Sequence, residues 1–201
     1  PSVFVRFPIL EEPTSDYGAS AAVLERLGYI NGSWSGTRPS FMAWTTTPWT
    51  LTANMALAVG PKERYALMQE GETGERVLLA EVLAERVLGE GWTADDTFDG
   101  VDLLGIGYEP PYRSEELANH AHRVLAANYV TTDDGTGIVH TAPAYGAEDA
   151  ELGKEHDFPT VHTVDLRGVL QGDFPGAGKF VKQADKDIIA DLKERGILFK
   201  D

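Results

Sequence analysis

Three hydroxyl side chains in a row, Thr45, Thr46 and Thr47, sit between Trp44 and Pro48-Trp49-Thr50 and form the most unusual local sequence in the chain. Each hydroxyl can donate one hydrogen bond and accept two. Pro48 biases Thr47 away from the helical region, so the run reads as an exposed strand end. Such a break can hold a carboxyl derivative or a ribose, and it can equally be a β-rich threonine run in a turn. A second candidate is His140, near the end of an apolar strand that starts at Ile138 and Val139 and stops at Pro143. The turn signal Asp133-Asp134-Gly135 precedes it. A histidine there can be an acid or base, or simply a hydrogen-bonded residue on the rim of the core. The third is Asp149, which falls in the first turn of a short helix ending near Gly153. The unpaired amides and dipole of a helix start favour a carboxylate, which alone accounts for an acid at that place. Held ionised near His140, the same group could grip an ammonium ion.

Most other hydrolytic machinery is absent. The sequence has no Cys, so thiolate nucleophiles, disulfides and thiolate-bound zinc are excluded. His120 and His122 are two apart and His156 and His162 six apart, which matches no zinc pattern, and no metal is expected. Asp185 and Asp187 suit the exposed side of the last helix better than a metal cage. Gly105-Ile106-Gly107 lacks phosphate-loop spacing, and no Gly-x-Ser-x-Gly elbow occurs. No run approaches the roughly 20 apolar residues of a membrane span, and Pro1 to Leu10 lacks the order of a signal peptide, so a cytoplasmic protein without membrane contact is expected. Net charge is −15, from 17 Lys and Arg against 32 Asp and Glu. That balance disfavours a large phosphate-binding surface, and any nucleic-acid function has to answer it.

The elements that must position these residues are mostly short strands. Alternation predicts strands at Ser2 to Phe7, with Pro8 ending it or marking an edge, and at Phe41 to Thr45, Met55 to Val59, Tyr65 to Gln69 and Arg76 to Leu79. Val101 to Ile106, Arg123 to Val130 and Ile197 to Phe199 are further strand candidates. Helical spacing predicts Ala19 to Leu27 with a stop at Gly28, Leu79 to Leu88, and Lys179 to Arg195 with Phe180, Ala184, Ile188 and Leu192 on one face. Residues 14–39 read as a helix and loop excursion. The length of 201 residues and the lack of any repeat or low-complexity linker suggest one domain spanning 1–201. Short strands broken by a few helices indicate an α+β domain or a barrel with helical inserts.

Two segments, SFMAWTTTPWTLTANMALAV from Ser40 to Val59 and GTGIVHTAPAYGAED from Gly135 to Asp149, resemble the signature regions of the editing domain of class I aminoacyl-tRNA synthetases for branched aliphatic amino acids. The resemblance spans essentially the whole chain. Valyl and leucyl members typically follow two threonines with Arg-Pro, whereas Thr47-Pro48-Trp49-Thr50 resembles the isoleucyl type, of bacterial kind. Residues 14–39 are longer and richer in Gly and Trp than usual, and Thr52 stands where such proteins commonly have Pro.

The resemblance implies a β-barrel-like α+β editing domain with peripheral helices, inserted in a larger synthetase. It implies hydrolysis of valine misattached to tRNA(Ile), with valyl-adenylate as a second substrate and isoleucine excluded. Thr45, Thr46 and Thr47 would line the pocket, with Thr47 preferred for ordering water or the transition-state oxygen. His140 would form the wall that excludes isoleucine, and Asp149 would bind the α-ammonium. Asn54 would support the site or touch substrate, and Trp44 or Trp49 would set pocket shape. No cofactor is implied for this chain; ATP and magnesium serve the synthetic domain. Its partners would be the terminal adenosine and valyl ester of tRNA(Ile) and the rest of the synthetase, with the protein a monomer. Two other readings stand beside this one: an editing domain of valyl type, and a noncatalytic module that binds the tRNA end or an aminoacyl-adenylate.

Overall fold

Val3, Val5 and Phe7 are all buried while their neighbours are not, the period-two burial of a strand with one face on the core. The computed structural model describes residues 2–11, 21–113 and 122–201. Its strands are β1 (Val3–Pro8), β2 (Tyr29–Ile30), β3 (Ser33–Trp34), β4 (Ser40–Thr45), β5 (Ala56–Val59) and β6 (Arg64–Glu70). They continue as β7 (Arg76–Ala80), β8 (Trp92–Asp99), β9 (Arg123–Ala126), β10 (Ile138–Thr141) and β11 (Leu198–Lys200). The helices are α1 (Ala21–Arg26), α2 (Ala84–Leu88), α3 (Ala147–Glu155) and α4 (Val181–Glu194). Residues 14–20 of the expected excursion, and His120, lie outside the described residues.

The larger sheet runs β11-β1-β4-β7-β6-β8, and a smaller one runs β10-β5-β9. Within the larger, only β4 and β7 are parallel; in the smaller, β5 is antiparallel to β10 and parallel to β9. The sheets are stitched together where the Ala80 N–H donates to the Thr136 carbonyl at 2.8 Å and where Ile9 bridges Tyr108. Among the described residues no pairing joins β8 to β11, so the expected barrel is an open structure of the α+β class built on these two sheets, with β2 and β3 paired as a separate two-stranded sheet and helices at its periphery. The main core lies within this curved pair of sheets, and a smaller cluster of Met55, Leu125, Leu152 and Phe158 joins the short sheet to α3.

Several expected elements are corrected. Of the two outcomes expected at Pro8 the structure shows the first: Pro8 ends β1, with its carbonyl accepting the Glu109 N–H, and it marks no edge, since β1 lies between β11 and β4. Leu79 belongs to β7, and only Ala84–Leu88 of the predicted Leu79–Leu88 helix is α-helical, after a 3-10 turn that leaves Val82 exposed. Val101 to Ile106 is not a strand. Asp99 and Asp102 form a reciprocal cap there, which starts a 3-10 helix at Gly100. The neighbouring strand is β8, which sequence reading missed because WTADDTFD is largely polar and its side chains are mostly unburied. The predicted Arg123–Val130 strand ends at Ala126. The last helix follows its pattern at Ala184, Ile188 and Leu192, all fully buried, with Gly196 in the left-handed region at its end, but Phe180 is corrected: it is the extended residue before the helix and is 47% exposed.

Candidate active site

The threonine run and the histidine strand meet because of one short connection. β4 ends at Thr45, Thr47 adopts a non-helical conformation before Pro48 (φ −129°, ψ 71°), and a 3-10 helix runs from Pro48 to Ala53. Asn54 leaves that helix extended, and β5 then lies against β10 with Leu57 opposite His140. The two signature segments are therefore adjacent strands and the turn between them.

Around this turn opens a cleft of about 260 Å³. It is lined by Trp44, Thr45, Thr46, Thr47 and Thr50 from the first signature segment and by Val139, His140, Ala142, Tyr145 and Asp149 from the second. Thr46 is exposed and Thr45 is buried. The Thr45 hydroxyl accepts the Thr47 N–H at 3.1 Å and stands 3.3 Å from the Thr47 hydroxyl, which is a further 3.3 Å from that of Thr50. Thr50 is more tightly committed: its hydroxyl donates to the Thr47 carbonyl at 2.8 Å and lies 2.9 Å from His140 Nε2. The hydroxyls of Thr45 and Thr47 thus keep the weaker bonds and the freedom to turn toward a ligand.

His140 is buried to 8% exposure and bonded at both ring nitrogens. Asn54 Nδ2, a donor only, stands 2.9 Å from Nδ1, and the same nitrogen donates to the Ala56 carbonyl at 3.1 Å, which fixes the amide's orientation. Nδ1 is therefore an acceptor, and Nε2 carries the proton and donates to Thr50. Burial pushes the ring's pKa down to about 4, so it is neutral near pH ~7. With its basic nitrogen turned away from the cleft and already engaged, His140 is placed to act as a wall rather than a base.

Asp149 lies in the first turn of α3, as predicted. One carboxylate oxygen accepts the Ala142 N–H at 2.8 Å. Partial burial raises its pKa, opposed by the Ala142 N–H and the nearby Tyr129 hydroxyl and reinforced by the negative charge of Glu148. An incoming cation would relieve that cost.

Of the remaining expected residues, Asn54 and Trp49 fall behind the cleft surface and Trp44 lines it. Asn54 is 1% exposed and supports His140 from the rear, so it is not on the substrate-facing surface. Trp49 does not line the cleft. It packs edge-on to Tyr145, with ring centroids 4.7 Å apart, while Trp44 forms the cleft's outer wall. Gly135 lets Trp44 lie there, since a Cβ on it would come within 2.9 Å of the indole. Asp185 corrects the expectation of an exposed position: it is 1% exposed, and its Oδ1 accepts the Trp49 N–H at 3.0 Å, binding α4 to the threonine turn. Asp187 pairs with Lys179. Sequence reasoning passed over Thr50 and Tyr145 as site residues, although both lie within the quoted motifs. Among the described residues, no three His, Cys, Asp or Glu gather as a metal-ligand set, and no helix is long and apolar enough to cross a membrane.

No family model matches the chain. Among solved structures, the crystal structure of GlLeuRS-CP1 superposes with a TM-score of 0.78, at 14% identity, over 100% of this chain and 97% of that one. The P. knowlesi cytosolic leucyl-tRNA synthetase editing domain does so with a TM-score of 0.68, at 12% identity, over 98% and 95%. At these identities the likeness defines the fold, which is that of a synthetase editing domain. The sequence is 39% identical over 202 residues to isoleucine–tRNA ligase of Streptomyces avermitilis and 41% identical over 201 residues to that of Thermus thermophilus, in each case over 100% of this chain. The ligase of Dehalococcoides mccartyi is 42% identical over 221 residues. The chain belongs to the isoleucine–tRNA ligase family, and it spans 17% of the length of the first two relatives and 20% of the third.

Proposed function

We propose that the cleft hydrolyses the ester joining valine to the terminal ribose of tRNA(Ile) and rejects isoleucine by size. The observation that carries this reading is the convergence of Thr45, Thr46, Thr47, His140 and Asp149 on one cleft of about 260 Å³ in a chain of the isoleucine–tRNA ligase family. The need for such a site is physical. Isoleucine and valine differ by one methylene, worth about 1 to 3 kcal/mol in a pocket, too little for a synthetic site to refuse valine. A second pocket that the larger side chain overfills reverses the test.

On this reading Asp149 holds the α-ammonium, and the rigid His140 ring limits the depth available to the side chain. The Thr45 and Thr47 hydroxyls orient a water against the ester carbonyl and meet the charge that develops on its oxygen. Water's oxygen bonds to the carbonyl carbon, the bond to the ribose oxygen breaks, that oxygen takes up one of water's two protons, the other passes to solvent, and valine leaves as its carboxylate. An unassisted threonine is a poor nucleophile, and His140 has no ring nitrogen to spare as a base. Positioned water, assisted by the free ribose hydroxyl, is therefore the favoured route. Valyl-adenylate would fit the same groups.

The net charge of −15 is in keeping with most of the tRNA affinity lying in other parts of the ligase, and on this reading the chain reads the terminal adenosine and the valyl group. ATP and magnesium would serve the synthetic reaction there, and the protein would work in the cytoplasm as a monomer. The test is hydrolysis of purified Val-tRNA(Ile), Ile-tRNA(Ile) and Thr-tRNA(Val) by excess protein. Loss of the first alone supports the reading, preference for the third indicates a valyl-type specificity, and binding without turnover indicates a noncatalytic module.

A further inference from the structure

Behind the cleft, a chain of buried hydrogen bonds begins 54 residues from Asn54, at Tyr108, and ends on the threonine turn. The Tyr108 hydroxyl donates to Asn54 Oδ1 at 2.7 Å. Asn54 Nδ2 donates to His140 Nδ1, His140 Nε2–H donates to Thr50, and the Thr50 hydroxyl donates to the Thr47 carbonyl. We propose that Tyr108 is a positioning residue for the hydrolytic cleft: by holding the Asn54 amide in one orientation together with the Ala56 carbonyl, it selects the Nε2–H tautomer of His140 and, through Thr50, sets the geometry of Thr47.

The direction of every bond follows from the two groups that hold the Asn54 amide, Tyr108 and the Ala56 carbonyl. The Ala56 carbonyl can only accept, so it takes an NH2 proton of Asn54, and the Tyr108 hydroxyl, which can donate or accept, donates to the amide oxygen turned toward it; the other NH2 proton goes to the ring. Tyr108 and Ala56 thus hold opposite ends of the same amide, and loss of the Tyr108 bond leaves the Ala56 carbonyl to hold it alone. The ring must then accept at Nδ1 and donate at Nε2, which leaves the Thr50 proton for the Thr47 carbonyl. Rotating the amide by half a turn would reverse the sequence. Its oxygen would face His140 Nδ1, the ring proton would move there, and Thr50 would turn its proton from Thr47 to Nε2. Tyr108 is suited to holding the switch. It is fully buried between the sheets, bridged to Ile9, with its N–H on the His122 carbonyl, and its ring is edge-on to Phe7 at 5.4 Å. Burial also raises its pKa well above the usual value, so the hydroxyl keeps its proton. A group so placed touches no substrate; its effect reaches the cleft only through Asn54 and His140.

The inference rests on the proposed hydrolysis only for its consequence; the tautomer is measured separately. Nitrogen-15 spectra of the histidine-labelled protein are expected to show His140 with an unprotonated Nδ1 and a protonated Nε2. An Nδ1–H tautomer in the wild type would overturn the proposal outright. In Tyr108→Phe the Nδ1–H form should become populated, and kcat for Val-tRNA(Ile) should fall about tenfold with little change in KM, since a small displacement of orienting groups acts on the chemical step. Asn54→Asp gives a second route should that variant not fold, because a carboxylate can only accept and must draw the proton to Nδ1. An unmoved tautomer in either folded variant refutes the relay. If the tautomers shift as expected but the wild type hydrolyses no ester, the hydrolytic reading fails and the relay stands.

Discussion

Asp149 accepts the backbone N–H of Ala142 at 2.8 Å, which ties the first turn of α3 to the residue two beyond His140. The carboxylate therefore has a structural bond as well as its proposed hold on the ammonium, and two substitutions separate the roles. Asp149→Asn keeps an oxygen for Ala142 and removes the charge. Its thermal midpoint should stay close to that of the wild type while hydrolysis of the valyl ester falls at least about tenfold, as loss of a charged hydrogen bond implies. Asp149→Ala should lose the same activity and, in addition, about 1 kcal/mol of stability in urea titration. Full activity in the Asn variant would remove Asp149 from ammonium binding.

His140 is held at both nitrogens against the cleft wall, so its removal should change selectivity more than rate. In His140→Ala the pocket deepens, and the preference for valyl over isoleucyl ester is expected to drop by about 10 to 200-fold, the range one methylene commands. Single-turnover assays with both esters read this ratio directly. A variant that remains selective but loses rate on valine would point to chemistry at the ring instead.

Burial depresses both His140 and His122 from 6.5 to about 4. Because the folded values lie below the unfolded ones, these rings contribute stability fully above about pH 6.5, and it is lost progressively as pH falls toward about 4. Asp149 and Asp185 are shifted the other way, upward by burial, and partly oppose the loss. The histidine shifts are the larger, so denaturant titrations should find the protein less stable by a few kcal/mol at about pH 4.5 than at about pH 7.5. Equal stability at the two values would contradict the neutral, buried assignment of the rings.

Asp185 joins α4 to the threonine turn through the Trp49 N–H at 3.0 Å, with Lys182 Nζ 3.9 Å from its other oxygen. Asp185→Ala leaves a backbone donor unpaired and should cost about 1 to 3 kcal/mol. Asp185→Asn keeps the acceptor without the buried charge. Since the folded pKa is raised, the wild-type carboxylate loses stability as pH rises through its titration, so the Asn variant should match or exceed the wild type near neutrality. The gap should close in acid, and urea titrations at several pH values would follow it.

Much of the site was legible because its residues lie in two unbroken strings. The Thr45–Thr47 run, the strand carrying His140 and the helix start at Asp149 each follow local rules, namely a pre-proline break, an apolar alternation and a first-turn acid. What stayed hidden depends on contacts distant in sequence. Tyr108 meets Asn54 from 54 residues away and Thr50 meets His140 from 90, and no spacing rule relates them. β8 escaped detection because an outer strand with exposed side chains needs no apolar alternation. The burial of Asp185 did leave a signal: it stands four after Val181 and three before Ile188, on the buried face of α4. Its acidic type outweighed that spacing.

The proposed function turns on whether this cleft distinguishes two esters that differ by one methylene. Excess protein mixed with Val-tRNA(Ile) or Ile-tRNA(Ile), with release of the free amino acid followed against the uncatalysed rate, measures that most directly. The expected result is rapid loss of the valyl ester with the isoleucyl ester decaying at its spontaneous rate. Equal hydrolysis of both, or of neither, would contradict a size-selective editing site.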